Sequence, residues 1–289
     1  MSTDTMLYDH PGPRAKVRNN LLTVVFGIAL LALLYYVYAK FDSKGQWAGS
    51  LWKPFLRGST WADYILPGLL HTLEAAAVAM VLSLVYGLVF AVGRLSDHWW
   101  LRIPAGVVVE FFRAVPLLLL MFFIFFGVPF LTLQPMSIFW SVVIGLTLYN
   151  GSVLAEAFRA GIRAVPLGQS EAGYAIGMRK GQVMREILLP QAARAMLPVI
   201  VSQLVVLVKD TALGYIIAYS ELLQLGVNNL SANFANVVQA AIVAAILYII
   251  VNASLTAFAG WLERRTRRGG RAPRRTGAPA AVVAAEPQG

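Results

Sequence analysis

Charged residues are scarce in this chain, and cysteine is absent. Of its 289 residues, 13% are charged and 58% are hydrophobic, whereas a soluble domain carries about 25% charged residues. So little polar surface cannot cover a water-soluble globule, and the composition therefore indicates an integral membrane protein. The lack of cysteine excludes disulfides and thiol chemistry, and the three histidines are too far apart in sequence to form a local metal motif.

Motifs of common enzyme classes are missing as well. The sequence contains no G-x-x-x-x-G-K-[ST] phosphate-binding loop, no G-x-S-x-G and no H-E-x-x-H. We therefore expect no catalytic residues, no metal and no cofactor in this chain. If ATP drives its activity, the ATPase is another polypeptide.

Long apolar runs dominate what is present. A spanning helix needs about 20 mostly apolar residues, and six segments meet this condition: 21–39, 66–92, 111–131, 137–159, 195–219 and 236–262. The first run exceeds the roughly 7–15 residues of a signal-peptide core, and no cleavage site follows it, so we interpret it as a retained anchor. The prediction is an all-α integral membrane protein with about six transmembrane helices.

Lysine and arginine are distributed unevenly between the loops. Alternate connections, counted from the N-terminus, hold 19 of the 24 basic residues. Since cytoplasmic loops carry this excess, both termini of the multi-pass chain are predicted to be cytoplasmic. The net charge of +10 reflects mostly this asymmetry, with attraction to anionic membrane lipid as a second effect. We therefore expect no nucleic-acid partner.

One polar and basic segment, residues 171–191, interrupts the apolar runs on the predicted cytoplasmic side. Ser170 is suited to cap a short helix there, Gly177 is expected to weaken or bend it, and Pro190 is expected to mark the next boundary. Two short cytoplasmic helices with apolar faces would result. On these features alone, an interfacial helix and a helix that docks into a groove on a partner are about equally consistent.

The residues of this segment resemble a known motif. Glu171-Ala172, then Gly177, then Ile187-Leu188-Leu189-Pro190 resemble the EAA loop of permease subunits of ABC importers, with glycine instead of alanine at position 173. In that family the loop is a coupling helix that fits a cleft on the cytoplasmic ATPase subunit. The resemblance therefore implies the following ATPase-coupling residues: Glu171, Ala172, Ala175, Ile176, Gly177, Leu189 and Pro190.

Further motifs resemble the polar amino acid permeases of the His/Glu/Gln/Arg type. In chain order they are E-F-F-R-A-V-P from Glu110, A-E-A-F-R-A-G-I from Ala155, P-L-G-Q from Pro166, L-P-Q-A from Leu189 and K-D-T-A-L from Lys209. Ala212 stands where the family has serine in the last motif. The resemblance covers about residues 66–262, and the longer form of the chain resembles actinobacterial glutamate permeases.

The resemblance implies a type I ABC importer permease fold with a cytoplasmic coupling helix pair in a bacterial cell membrane. Implied partners are an ATP-binding subunit dimer, which would hold ATP and Mg, an extracytoplasmic amino acid binding protein and a second permease subunit, with a heterodimer favoured over a homodimer. The implied function is alternating-access import of a polar amino acid, with glutamate as the first candidate.

Four regions follow from these observations. Residues 1–20 form a cytoplasmic N-terminus, and residues 21–65 form the first transmembrane helix with an external connection. Residues 66–262 form the core permease domain. Residues 263–289 form a basic cytoplasmic tail that is rich in Gly, Ala, Pro and Arg and is expected to be disordered.

Polar residues within the apolar runs are candidates for the transport path. These are Asn150, Ser202, Gln203, Lys209 and Asp210. The neutral side chains suit either a cavity or interhelical hydrogen bonds. Lys209 and Asp210 are adjacent and point to different sides of a regular helix, so each needs another partner unless the helix breaks there. A role of this pair in shaping the gate is favoured over direct substrate contact.

Other charged or helix-breaking residues are assigned structural roles. Glu156 and Arg159 are three apart and can pair on one helix face, and Arg113 and Pro116 belong to the motif that starts at Glu110. Glu74 lies near the outer end of its predicted span and is expected at headgroup level.

Two other functions remain open at this point. An ion-coupled secondary amino acid transporter would act without an ATPase and would use Lys209, Asp210 and Glu156 as a proton or ion relay. A membrane scaffold would dock a signalling protein on residues 171–191 and would transport nothing.

Overall fold

The computed structural model describes residues 12–268, except the side chains of residues 262, 263 and 265–268. All regular secondary structure in this part of the chain is helical. The main helices are α1 (Pro13–Ser43), α2 (Gly58–Arg94), α3 (Trp99–Ala114), α4 (Leu117–Thr132), α5 (Ile138–Arg163), α6 (Leu167–Ala175), α7 (Lys180–Ile217), α8 (Gln224–Asn229, continued by Leu230–Phe234) and α9 (Val237–Arg268). Two 3-10 turns, Gly49–Leu51 and Lys53–Leu56, connect α1 to α2.

Five of these helices are long and apolar enough to cross a membrane, namely α1, α2, α5, α7 and α9. The pair α3 and α4 passes the same test when it is taken as one bent span. Each of the six predicted apolar segments corresponds to one of these units, which confirms the all-α membrane class.

The third predicted span, 111–131, was expected to be one helix and is instead sharply bent. The axes of α3 and α4 differ by 102°. Val115, between them, is extended with φ −79° and ψ 128°, because the ring of Pro116 disfavours the helical conformation of the residue before it. Pro116 then caps α4.

Pro190, unlike Pro116, does not interrupt its helix. The expected boundary there is wrong, because α7 runs through Pro190 to Ile217 without interruption. The turns just before it, Val183–Leu188, form a π-helix. The wider i to i+5 pattern accommodates a residue that cannot donate a backbone hydrogen bond.

Close packing of α2 against α5 forms the centre of the bundle. A Cβ atom on Gly87 would lie 2.9 Å from the Cβ of Leu154, and one on Gly151 would lie 2.7 Å from Cδ1 of Tyr86. Glycines thus let the two backbones approach, as is common between membrane helices. Leu207 of α7 completes the buried cluster that surrounds this contact.

The bundle has two ends that differ in content. One end, called the hairpin end below, contains α6, the start of α7 and the connection between α2 and α3. An ion pair between Lys180 and Asp97 joins the start of α7 to this connection. The opposite end, called the far end below, contains the start of α2 and the α8–α9 connection. Asn233 donates to the hydroxyl of Tyr64 there at 3.2 Å.

Helix α1 lies apart from this bundle. None of its residues is buried, although its best 18-residue window has a mean hydropathy of 2.3. Its C-terminal end contacts the connection that follows it, where Tyr38 stacks on Trp47 with ring centroids 5.5 Å apart. The predicted region boundary at residue 20 falls inside α1, and that at residue 262 falls inside α9. Most of the two predicted terminal regions, residues 1–11 and 269–289, lies outside the described residues.

Candidate functional site

The α6 helix is terminated by Gly177, which follows its last residue, Ala175, by two positions and has φ +82°. The amide of Met178 donates to the carbonyl of Gly173 at 3.1 Å, and that of Gly177 donates to the carbonyl of Tyr174 at 2.9 Å. This pair of bonds is a Schellman motif, in which glycine adopts the left-handed conformation at little cost. Gly177 therefore ends the helix rather than only weakening it.

The beginning of α6 also differs from expectation. The helix starts at Leu167 after Pro166, and the Ser170 hydroxyl donates to the Leu167 carbonyl at 2.8 Å instead of capping the helix. The ring of Pro166 restricts its φ angle, here −53°, and so fixes the direction in which the chain enters the helix.

The α6 helix folds back onto the first turns of α7. Gly173 is buried, and a Cβ there would lie 2.9 Å from Ile187 Cδ1 and from Val183 Cγ2. Gln191 donates to the Gln169 side chain at 3.3 Å across the same contact. The second member of the expected helix pair is thus the start of α7 itself, and α6 with residues 180–191 forms one unit, called the coupling hairpin below.

One side of the coupling hairpin is uncovered and carries apolar side chains beside Glu171. Glu171, Ala172 and Ala175 are exposed, Ile176 is 78% exposed and Leu167 is 77% exposed. The coupling residues predicted on α6 therefore lie together on its free surface. Of the others, Gly177 follows directly, whereas Leu189 and Pro190 lie in the body of α7, where Leu189 is 37% exposed.

An ion pair between Lys180 and Asp97 connects the coupling hairpin to the α2–α3 connection. The hydrogen bond and the positive charge of Lys180 lower the pKa of the Asp97 carboxyl below its ordinary value. Both groups are solvent-accessible, so the pair orients the two segments and adds little stability.

A chain of alternating charges lies at the hairpin end of α2, α3 and α5. Arg113 bonds to Glu110 at 3.2 Å, Glu110 to Arg94 at 3.2 Å, and Arg94 to Glu156 at 3.0 Å. Arg159 completes the chain with two bonds to Glu156, one of them at 2.9 Å. The predicted Glu156–Arg159 pair is therefore present, and Arg113 belongs to the same network.

Two of the predicted path residues form a buried pair at mid-depth. The Gln203 amide of α7 donates to Asn150 of α5, and Asn150 donates to the Leu146 carbonyl at 3.1 Å. The Asn150 amide also interacts with the Asp210 carboxyl group. At 1.5 Å per residue, Asn150 lies about 18 Å from the start of α5 at Ile138, which is near the middle of the bundle.

The remaining two path candidates lie on an open face of α7. Lys209 and Ser202 are exposed, and Val199 and Val206 on the same face are 43% and 40% exposed. The Ser202 hydroxyl donates to the Pro198 carbonyl at 2.8 Å. Among the described residues, Lys209 has no ion-pair partner within 4 Å.

The helix does not break at Lys209 and Asp210, but its geometry changes. From Thr211 to Ile217 the backbone is a 3-10 helix, which ends at Ala218 with φ +60°. Gly214 makes this possible, since a Cβ there would lie 3.0 Å from Tyr219 Cβ. The relay required for an ion-coupled transporter is not assembled, because the Glu156 carboxylate is engaged by Arg94 and Arg159.

Glu221 is buried at the far end, and no role was predicted for it from the sequence. Its carboxylate accepts hydrogen bonds from the amides of Leu223 and Gln224 at 2.9 and 2.8 Å and from the Tyr248 hydroxyl at 2.9 Å. The Leu222 amide donates to Thr72 at 3.1 Å. Glu221 thus caps α8 and fastens it to α9.

Sequence reasoning missed some members of these networks. Arg94 is the centre of this chain of alternating charges, yet sequence reasoning treated it only as one of the basic residues of the loops. Its position at the end of an apolar run was the available signal. Thr72 and Tyr248 carried no signal, because their partners lie far away in sequence. No group of three or more His, Asp or Glu in the described chain could hold a metal ion.

Comparisons with known proteins identify relatives of this chain. The family model for the binding-protein-dependent transport system inner membrane component matches residues 79–268. The chain is 45% identical over 230 residues to the glutamate transport system permease protein GluD of Corynebacterium glutamicum, covering 79% of this chain and 84% of that protein. It is 30% identical to the arginine transport system permease protein ArtQ of Bacillus subtilis, over 71% of this chain and 93% of that protein.

Solved structures give the same result. A crystal structure of an amino acid ABC transporter with histidines matches with a TM-score of 0.66 at 26% identity, over 69% of this chain and 92% of that chain. An inward-facing structure of the MetNI methionine ABC transporter matches with a TM-score of 0.61 at 20% identity, over 70% and 95% of the two chains, which supports the fold alone. The chain therefore belongs to the family of binding-protein-dependent transport system inner membrane components and has the type I fold of ABC importer permeases.

Proposed function

We propose that this chain is the transmembrane subunit of an ATP-driven importer that moves a polar amino acid by alternating access. Glutamate is the first candidate, because the relative that is 45% identical is a glutamate transport system permease. The observation that carries the coupling role is the uncovered apolar face of α6, where Ile176 is 78% exposed.

The coupling hairpin is built to transmit force. The Schellman motif at Gly177 terminates α6, and Gly173 packs closely against the start of α7. Because of this contact, a displacement of α6 also displaces the start of α7. Because α7 continues without a break past Pro190, the displacement reaches the polar residues at mid-depth. The apolar face of α6 fits a groove on a separate ATPase subunit, and ATP and Mg belong to that ATPase.

Lys209 supports a transport path along the open face of α7. A charged side chain within a membrane costs about 2.5–3.5 kcal/mol on insertion scales, and such groups face protein or water rather than lipid. Lys209 is exposed in this chain. We infer that a second permease subunit covers this face and that the substrate passes between the two, with Lys209 in the wall of this path, where it shapes the gate.

The orientation and remaining partners follow from the same proposal. The coupling hairpin faces the cytoplasm, in agreement with the basic loops at that end, and the far end receives the amino acid from an extracytoplasmic binding protein. A non-identical second permease is favoured over a second copy of this chain.

The test places a charge on the apolar face of α6. Ile176→Glu, introduced into the complete transporter, is expected to reduce amino acid uptake at least about tenfold and to uncouple ATP hydrolysis from uptake, because burying an unpaired carboxylate in the groove is unfavourable. Radiolabelled uptake and ATPase activity are measured in the same proteoliposomes.

Gly181→Glu is the matched control. It adds the same carboxylate to the coupling hairpin at an exposed position with open space around it, and uptake is expected to remain within about twofold of the unmodified transporter. Normal coupled transport in Ile176→Glu would contradict the docking role.

A further inference from the structure

A pocket opens at the far end, between the first half of α2, the start of α5 and the loop that follows α7. Its volume is about 440 Å³, within the range of about 300–1,000 Å³ that is usual for small-molecule sites. The lining includes His71 and Glu74 from α2, Phe139 from α5, and Tyr219 and Ser220 from the loop.

Glu74 contributes a carboxylate without a counter-ion to this pocket. The ion pairs of the described residues do not include it. Its neighbours on the exposed side of α2 are apolar, with Leu70 63% and Val81 61% exposed. Twenty residues separate Glu74 from Arg94, or about 30 Å along the helix, which equals the thickness of the hydrocarbon core. With Arg94 at the cytoplasmic boundary, this spacing would place Glu74 at the far boundary of the membrane.

Two of the other polar groups around Glu74 are already hydrogen-bonded. The Tyr219 hydroxyl donates to the His71 carbonyl at 2.9 Å. The His71 Nδ1 atom lies 2.7 Å from the Ser220 carbonyl and must carry the proton there, because a carbonyl only accepts. The groups left for a ligand are the Glu74 carboxylate, His71 Nε2 and the hydroxyls of Ser137 and Ser220.

Aromatic rings form the opposite wall. The centroids of Phe139 and Tyr219 lie 6.2 Å apart, with their planes at 48°. A carboxylate in a pocket that aromatic rings also line favours a cationic ligand, because carboxylates and aromatic π-systems both attract positive charge.

The loop wall of the pocket is held firmly. The Tyr219 amide donates to the Gly214 carbonyl at 3.0 Å, and the Ala218 amide donates to the Tyr215 carbonyl at 3.0 Å. Two residues further on, the buried Glu221 caps α8. The pocket is therefore formed before a ligand arrives, which lowers the entropic cost of binding.

We propose that this pocket binds the α-ammonium group of the incoming amino acid, with Glu74 as its counter-ion. The inference rests on the proposed function, because it assumes that an amino acid enters at the far end. Every amino acid carries this ammonium group, so the pocket captures substrate without choosing between side chains.

The experiment uses the complete purified transporter in lipid nanodiscs, without the binding protein. Binding of radiolabelled glutamate is measured, and so is its competition by glutarate, which has both carboxylates but no ammonium group. Glu74→Gln is expected to weaken glutamate binding at least about tenfold, as loss of a charged hydrogen-bond partner predicts. The preference for glutamate over glutarate should largely disappear, whereas Glu74→Asp should retain part of it.

Asp63→Asn is the matched control, because Asp63 is an exposed carboxylate on the same helix outside the pocket. It should bind glutamate within about twofold of the unmodified protein, and all variants should co-purify equally with the ATPase. Unmodified glutamate binding in Glu74→Gln would overturn the proposal. So would a loss of uptake with normal binding, because Glu74 would then act in docking of the binding protein. A wild-type transporter that imports no polar amino acid would contradict the proposed function itself.

Discussion

Glu221 illustrates, at the scale of a single residue, how a charge is retained inside an apolar bundle. Its side chain is fully buried, yet its two oxygens accept three hydrogen bonds, from the amides of Leu223 and Gln224 and from the Tyr248 hydroxyl. Because a buried charge is stable only when its hydrogen-bonding capacity is used, these partners fix where α8 begins and how it sits on α9.

Replacement of this carboxylate by an amide tests that role. In Glu221→Gln, one oxygen becomes an NH2 group, so at least one donor of α8 or Tyr248 faces another donor. We expect a loss of about 1–3 kcal/mol in the free energy of unfolding, measured as a lower melting temperature of the purified chain. Glu186→Gln changes an exposed residue with a loose ion pair at 3.6 Å and should change the stability by less than about 0.5 kcal/mol. Equal melting temperatures would contradict the role.

Contacts between side chains were predictable from the sequence only where the two residues are close together along one helix. The Glu156–Arg159 pair was predictable, because three residues along a helix bring two side chains to one face. Arg94 and Glu156 are 62 positions apart, and Thr72 and Leu222 are 150 apart. Such pairs depend on which helix faces contact each other, and hydropathy alone does not determine this.

At the scale of elements, the coupling hairpin requires glycine at two positions, for a different physical reason at each. Gly173 leaves room for Val183 and Ile187, whereas Gly177 has open space around it but a φ of +82°. The first glycine sets the distance between α6 and α7, and the second sets the direction in which the chain leaves α6.

Gly177→Ala should therefore loosen α6 without any steric clash. A left-handed conformation costs a residue with a Cβ about 1 kcal/mol, so amide hydrogen exchange in α6 should become about fivefold faster. Gly181→Ala is the matched control, because Gly181 lies in the first turn of α7 with open space, and alanine there is neutral or stabilising. Equal exchange rates in both variants would show that the Schellman motif does not hold α6.

The two prolines show why element boundaries were harder to predict than the elements themselves. Six apolar segments were correctly identified, because length and hydropathy are local properties. Pro116 produces a 102° bend after an extended Val115, whereas Pro190 follows a π-turn and leaves α7 continuous. Proline removes a backbone hydrogen-bond donor in both places. The difference is that α6 packs against residues 183–187, just before Pro190.

At the scale of the whole molecule, charge asymmetry and the coupling hairpin predict one orientation together. The basic residues are concentrated in the loops at the hairpin end, and cytoplasmic loops carry this excess. The docking role of α6 requires the same orientation, since ATP is available in the cytoplasm. A reversed insertion would leave the hairpin out of reach of any ATPase.

The absence of cysteine makes this orientation directly measurable. Single substitutions Gly181→Cys at the hairpin end and Gly49→Cys at the far end need no prior removal of native thiols, and both sites are exposed with open space. In intact cells a membrane-impermeant maleimide should label Gly49→Cys and leave Gly181→Cys unlabelled until the membrane is permeabilised. Labelling of Gly181→Cys in intact cells would reverse the orientation, and the proposed coupling to a cytoplasmic ATPase would then be physically impossible.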